Sequence, residues 1–403
     1  MKRTRGRVVA PIVALLLAVL LSVVACSEQE AVVFGIVLPL SGESAIYGEP
    51  IKNGIELALE RIKAENPKEA AEIQLDIRDS ESDPARAHDL AEELYSEGVR
   101  AVIGGITTPE AMSMVEVADR NNRVLVSPSA SATGLTGISR NFYRVWPSDA
   151  REGSKMGQYA AQNLNLETAA ILAADSPYAE GIQSVFTDSF AQNGGEILGE
   201  ALVYPRNTAD LDALIEHAIN LNPDAIYVAD YADGIVLAIQ KLKEQGYDGK
   251  ILTVAAFATS QAIAAAGRDA EGVFVTHPQY SPEDQTNAEV APFVASYREA
   301  HGETPGLYAA HGYDAMLVMF SAMQEGGDRG SSFWKGMRGI RGLVGVTGPL
   351  QFDDKGDVQK WPRVYFLVDG TLVDHSDWVE QQKEELRERM EELRRRRQQL
   401  RNQ

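Results

Sequence analysis

Hydroxyl and phenol groups recur in this chain at one kind of place, the loop that follows a short apolar run. Ser41 to Tyr47 come after the run at 32–39, and Thr107 with Thr108 after 101–103. Ser129 and Ser131 follow Val124-Leu125-Val126, Tyr178 follows 169–173, and Asp230 with Tyr231 follow 225–228. Backbone N–H groups, hydroxyls and helix N-termini together hold a carboxylate without a full positive charge. Tyrosines add apolar cover and one polar handle each. Such a set suits reversible binding of a small polar solute in a cleft. Taken singly, each hydroxyl is also what a helix cap or a turn would use. Their repetition at strand ends is what points to a site.

Nothing comparable points to catalysis or to a cofactor. The six histidines, His277, His301, His311 and His375 among them, lack H-x-x-x-H spacing and have no cysteine nearby. No Walker A, G-x-G-x-x-G or G-x-S-x-G element occurs. Asp353-Asp354 sit beside Lys355-Gly356 and read as a turn. The formal net charge of −20 repels nucleic acid, and no basic patch with interleaved aromatics interrupts the globular part.

The elements that must carry these loops follow from periodicity. Apolar runs alternate with amphipathic helical stretches for over half of the 403 residues. Ile51, Ile55, Ala58, Leu59 and Ile62 mark one helix face after a loop at 42–48. Asp83-Pro84 opens the next helix with a cap and a first-turn proline. The rhythm stops at Tyr143-Arg144-Val145-Trp146-Pro147 and then restarts, which predicts two lobes, each a mostly parallel, doubly wound α/β sheet. The stretch 287–341 is helical and too poor in strands for a third domain.

Both ends differ from this pattern. Lys2, Arg3, Arg5 and Arg7 precede a nearly unbroken apolar run at 8–24, which reads as a signal peptide over residues 1–25. The run also approaches the length of a membrane span. The residues before Cys26 resemble a bacterial lipoprotein cleavage site, which would make Cys26 the lipidated N-terminus, with 26–31 as tether. Cys26 is the only cysteine, so an intramolecular disulfide is impossible. At the other end, 375–403 reads as a charged helix, acids first and bases last, as the helix dipole favours. Val379, Leu386, Met390, Leu393 and Leu400 fall at heptad-like spacing, with Gln382 and Arg397 interrupting the seam. A solvated appendage, a short self-associating coiled coil and a contact to anionic headgroups are all open to it.

Seven segments in order carry a resemblance over 33–374: VLPLSGESAIYGEPIKNGIELA at 37–58, RDSESDP at 78–84, AVIGGITTPEA at 101–111, VLVSPSASA at 124–132, DSPYAEG at 175–181, HGYDAM at 311–316 and GPLQFDDKGD at 348–357. The chain resembles the branched-chain amino acid type of periplasmic solute-binding protein (leucine/isoleucine/valine-binding-protein-like), which serves ABC importers and is not an enzyme. The resemblance implies the type I periplasmic binding fold, two lobes joined by three crossings. Lobe one would be 32–147 plus 277–352, and lobe two 148–276 plus 353–374. It also implies an extracytoplasmic, lipid-anchored protein that closes on a small solute and docks on a permease with its ATPase. A non-transport sensor or regulator of an envelope enzyme on the same fold is the alternative. In the family, hydroxyls and backbone groups of lobe one hold the ligand carboxylate, which fall here on Thr107 or Thr108, Ser129 and Ser131. The cleft tyrosines match Tyr47, Tyr178 and Tyr231. The ligand amine meets an acid after the fourth strand of lobe two, but here Val254-Ala255-Ala256-Phe257-Ala258 has none. Either Asp230 substitutes, or the solute is amide-like or aromatic, with Phe257 as a wall.

Overall fold

The computed structural model describes residues 31–326 and 333–401. The signal stretch and Cys26 lie outside them.

The first unit builds strands β1 (Val32–Leu38), β2 (Ile73–Asp79), β3 (Ala101–Gly104), β4 (Val124–Ser127) and β5 (Phe142–Arg144). Its helices are α1 (Ala45–Glu65), α2 (Pro84–Ser96) and α3 (Thr108–Asn121). The strands pair in the order β2-β1-β3-β4-β5, every pair parallel. The strands β1, β3 and β4 are buried almost throughout, as apolar runs covered on both faces must be. Asp83 caps α2 through the Ala85 N–H, with Pro84 in the first turn. The α1 helix starts earlier than its apolar face suggests, so Tyr47 lies in its first turn rather than in a loop.

The second unit contributes α4 (Asp149–Gln162), β6 (Thr168–Ala174), α5 (Pro177–Gln192), β7 (Glu196–Ile197), β8 (Leu202–Tyr204), α6 (Asp212–Asn220), β9 (Ala225–Ala229), α7 (Ala232–Glu244), β10 (Lys250–Thr253), α8 (Ser260–Ala266) and β11 (Phe274–Pro278). Next come α9 (Val290–His301), α10 (Leu307–Gly326), α11 (Phe333–Gly339), the short pair β12 (Val344–Gly345) and β13 (Gly348–Pro349), the hairpin β14 (Pro362–Val368) and β15 (Thr371–Asp374), and α12 (His375–Arg401). The second sheet runs β15-β14-β11-β10-β9-β6-β7, with β8 also on β6. Its β14 and β15 join antiparallel, so this sheet is mixed. The stretch 196–204 holds two short strands, β7 and β8, rather than one.

After β11 the chain leaves the second sheet, and α10 lies along α1. The two backbones touch: a Cβ on Gly54 would sit 2.0 Å from the Ala309 carbonyl oxygen, and one on Gly312 would sit 2.2 Å from that of Ile51. The chain then returns to the second sheet through β14. With the step from β5 to β6, it passes between the sheets three times.

Arg144 and Asp357 fasten the first and third passages. The fully buried guanidinium donates from Nε to Asp357 Oδ1 at 2.7 Å and from Nη2 to Oδ2 at 3.1 Å. It donates again to the Ala132 carbonyl and the Thr136 hydroxyl, so most of its donor fork is satisfied.

Candidate functional site

The C-terminal ends of β1, β3 and β4 face those of β6, β9 and β10 across one cleft. In each sheet this is where the strand order changes direction, the crevice at which open α/β sheets take ligands. The cleft lies between Tyr47, Thr107, Thr108, Ser129 and Ser131 on one side and Tyr178, Tyr231, Ala255 and Ala256 on the other. Ile106, Ala130, Trp146 and Tyr308 complete the lining.

The hydroxyls divide by use. Thr107 is the N-cap of α3, in a reciprocal capping box with Glu110. Ser129 Oγ donates to the Ile106 carbonyl at 2.7 Å and pins the β4 loop to the β3 loop. The Thr108 hydroxyl, and the Ser131 hydroxyl that faces Asp149, pin no loop carbonyl among the described residues. Both line the cleft beside the first N–H groups of α3.

Phenols close the other sides. Tyr47 Oη donates to the Ala256 carbonyl at 3.2 Å and accepts the Ala232 N–H at 2.8 Å, which joins α1 directly to the second sheet's loops. Tyr47 packs on Tyr308 with ring centres 4.8 Å apart, and Tyr308 packs on Trp146 at 5.1 Å. Tyr178 and Tyr231 pack at 5.0 Å, and the Arg206 guanidinium covers Tyr231 at 4.3 Å. Arg206 also pairs with Glu43 across the mouth at 2.5 Å.

Of the residues expected from sequence, seven therefore share one cleft: Tyr47, Thr107, Thr108, Ser129, Ser131, Tyr178 and Tyr231. Two do not line it. Phe257 is fully buried in the core behind the 255–257 turn. Asp230 sits behind Tyr231, where its oxygens accept the Tyr231 N–H and the Tyr204 hydroxyl. Burial pushes its carboxyl up to about 6, with those two hydrogen bonds opposing. Asp230 faces a separate recess beside Arg206 rather than the cleft.

Sequence reasoning missed Trp146, Tyr308 and two acids, Asp149 and Glu152. Ser148 caps α4 through the Ala150 N–H, and the acids occupy the first turn of the helix. No helix was expected at 149–162 from the sequence, and no local pattern reports where the two carboxylates lie. Both are fully buried. Burial pushes Asp149 up to about 7, opposed by the Ser131 hydroxyl and the Arg144 charge. Glu152 is driven well above the usual carboxylate range by burial first and by Asp149 second. Among the described residues no cluster of His, Cys, Asp and Glu side chains could hold a metal ion.

Two open α/β sheets facing across a cleft, with hydroxyls on one wall and phenols on the other, define a bilobal solute-binding fold. A family described as periplasmic binding protein matches residues 31–368, and the chain belongs to that family. Its relatives within the family are of the branched-chain amino acid type. The leucine-, isoleucine-, valine-, threonine- and alanine-binding protein of Pseudomonas aeruginosa is 23% identical over 80% of this chain and 86% of its own length. A leucine-binding protein from Thermotoga maritima superposes with a TM-score of 0.80 at 26% identity, covering 85% of this chain and 97% of the other. A solute-binding protein of an ABC transporter from R. palustris, solved with benzoate, gives a TM-score of 0.77 at 23% identity over 86% and 95%. Family members are solute-binding proteins with an extracytoplasmic place of work, and no helix among the described residues is long and apolar enough to cross a membrane.

Proposed function

We propose that this protein is the solute-binding component of an ABC importer, closing its two lobes on a small carboxylate-bearing solute and presenting it to a permease. One observation carries the reading. Hydroxyls of the first sheet's loops, at Thr108 and Ser131, face aromatic residues of the second sheet's loops across a single cleft. The carboxylate would rest on those hydroxyls and the N-terminal amides of α3, and the tyrosines would cover the remainder. The lobes in this reading are 32–147 with 277–352 and 148–276 with 353–374. Cys26, preceded by the basic and apolar leader, would anchor the chain by lipid to the outer side of the membrane.

The relatives divide between amino acids and aromatic acids, so the screen must include both. Thermal melts of the purified protein against amino acids, their amides and aromatic acids provide the test. A true ligand at a hundred times its Kd adds about 2.7 kcal/mol of stability. If no solute in the panel raises the midpoint, the transport reading falls. The alternative would then stand, a sensor or regulator acting through contacts. The exposed stripe Leu386, Met390, Leu393 and Leu400 on α12 supports that second reading, because a two-lobed importer component needs no such helix.

A further inference from the structure

The solute cleft gives no use to α12. Only the start of this helix touches the body: Trp378 packs on Phe366 with ring centres 5.1 Å apart, and Arg363 donates to Asp374 at 2.9 Å and to Asp377 at 3.3 Å. From 380 to 400 every residue is exposed. A lone helix gains little from propensity, and its own pairs, Arg387 with Glu384 at 3.0 Å and Arg396 with Glu392 at 2.5 Å, are exposed and worth little each. Yet Leu386, Met390, Leu393 and Leu400 stand between 48% and 72% exposed on one side of it. A row of large apolar side chains held in water marks a surface that is covered in use.

The charges say what covers it. By the helical period, Lys383, Arg389, Arg394, Arg396 and Arg397 lie beside or between the apolar residues, whereas Glu384, Glu388, Glu391 and Glu392 lie on the opposite side. Arg389, Arg394 and Arg397 form no ion pair among the described residues. From 386 to 400 the helix carries six arginines and three glutamates, a basic stretch on a chain of formal net charge −20. A second copy of α12 would set arginine against arginine along both flanks and bury Arg397 in the seam. An acidic helix of another protein would read only the seam and its edges, and the sign of the far face would be without consequence. A flat anionic surface reads the whole circumference, because a helix is about as thick as the Debye length, about 10 Å. It attracts the arginines beneath and favours glutamates turned away. Arginine stems lie along the apolar stripe while their guanidinium groups reach outward, as in a helix lying in a lipid interface.

We propose that α12 docks the face formed by Leu386, Met390, Leu393, Leu400 and their flanking arginines flat on an anionic lipid surface. The exposed stretch runs for roughly 30 Å, enough to lie along such a surface for several turns. The helix follows β15, which is the edge strand of the second sheet. Contact through α12 therefore holds the second sheet's unit against the bilayer and leaves the first free to move about the crossings. Where Cys26 would tether the chain, α12 would fix how the second unit lies. The inference does not depend on which solute the cleft takes.

The experiment uses the purified full chain with Cys26→Ser and one new cysteine, either Met390→Cys on the stripe or Glu388→Cys opposite it, carrying a polarity-sensitive fluorophore. Vesicles of phosphatidylcholine alone are compared with vesicles of phosphatidylcholine and phosphatidylglycerol in a three-to-one ratio. The probe at 390 should shift to the blue on the anionic vesicles and not on the neutral ones, and the probe at 388 should stay in water on both. Salt at about 1 M, where the Debye length is about 3 Å, should reverse the shift. Arg389→Gln, Arg394→Gln and Arg397→Gln together should raise the lipid concentration at half-shift on the order of 100-fold, since each arginine near such a surface is worth about fivefold. Leu386→Ser with Leu393→Ser should raise it at least about tenfold. These side chains are exposed, so the melting midpoints of the variants should match that of the parent chain. The N-terminal segment is the same in every variant, so differences among them belong to α12. Equal shifts of the two probes, equal shifts on neutral vesicles, or an arginine variant that responds like its parent would each overturn the inference. No shift on either vesicle would overturn it in favour of an acidic helix as the occupant. A dimer in sedimentation velocity without lipid, lost in the Leu386→Ser, Leu393→Ser chain, would overturn it in favour of a second copy.

Discussion

Two serines two positions apart can have unlike roles on one loop. Ser129 is committed, since its hydroxyl satisfies the Ile106 carbonyl, whereas Ser131 offers its own to the cleft. Ser129→Ala should cost the unliganded protein about 1 kcal/mol by leaving a buried carbonyl unpaired. Ser131→Ala should leave that stability within about 0.5 kcal/mol and weaken a carboxylate ligand about tenfold. Urea unfolding and ligand titration of the two variants check this, and equal stability losses would show that both serines only build the loop. Asp149 yields a pH prediction at the same scale. Its folded carboxyl is raised to about 7 from an unfolded value of about 4, so the native state holds the proton more tightly. That contribution is complete below about pH 4 and is lost as pH rises through 7. His277, pushed down to about 4 by burial, and His311, pushed well below its ordinary value by burial, act oppositely, costing stability as pH falls below about 6.5. Melting midpoints at pH 5, 6, 7 and 8 should therefore decline more steeply with rising pH in the wild type than in Asp149→Asn. Parallel curves would place the Asp149 proton elsewhere.

At the level of elements, what the sequence showed well was local. The buried strands β1, β3, β4, β6 and β9 are apolar runs ending in polar turns, and Asp83-Pro84 announces a helix through contacts within three residues. The hydroxyl loops were visible for the same reason, because a strand end and its loop are contiguous. Phe257 shows the limit of that reasoning: its place beside a cleft turn was legible, but the face of the turn it occupies was not. Glu152 shows the larger limit. Its partner Ala255 is 103 residues away, and no pattern within α4 reports which loop will lie over its first turn. The Arg144–Asp357 pair, 213 residues apart, was hidden in the same way. Asp357→Asn leaves a buried guanidinium without its counter-charge and should destabilise the protein by about 3–5 kcal/mol, as removing one partner of a buried pair does. Chemical denaturation measures the loss. A change below about 1 kcal/mol would mean that the two passages between sheets are held by packing alone.

For the molecule as a whole, the question is what ties one lobe to the other when they meet. Away from the crossings, which Arg144–Asp357 and Lys360–Asp314 fasten, few groups reach over the cleft: Tyr47 to Ala232 and Ala256, Tyr308 to the Ala255 carbonyl at 3.5 Å, and Glu43 to Arg206. The Glu43–Arg206 ion pair is partly exposed and worth little in salt. The Tyr47 hydroxyl, buried and both donating and accepting, is therefore the strongest direct tie across the cleft itself. A tie of this kind biases closure in the unliganded state, and a ligand that touches both walls adds its differential affinity to that bias. Tyr47→Phe keeps the ring packed on Tyr308 and removes only the two hydrogen bonds, about 1–3 kcal/mol in total. The closed population of the variant should fall about 5- to 150-fold relative to the open one, and ligand affinity should weaken wherever closure limits it. Small-angle scattering should find a larger radius of gyration for unliganded Tyr47→Phe than for the unliganded wild type, with the two converging at saturating solute. Identical unliganded radii would mean that the lobes are held together by packing around the cleft rather than by this hydroxyl, and the ligand would then have correspondingly less to do in closing them.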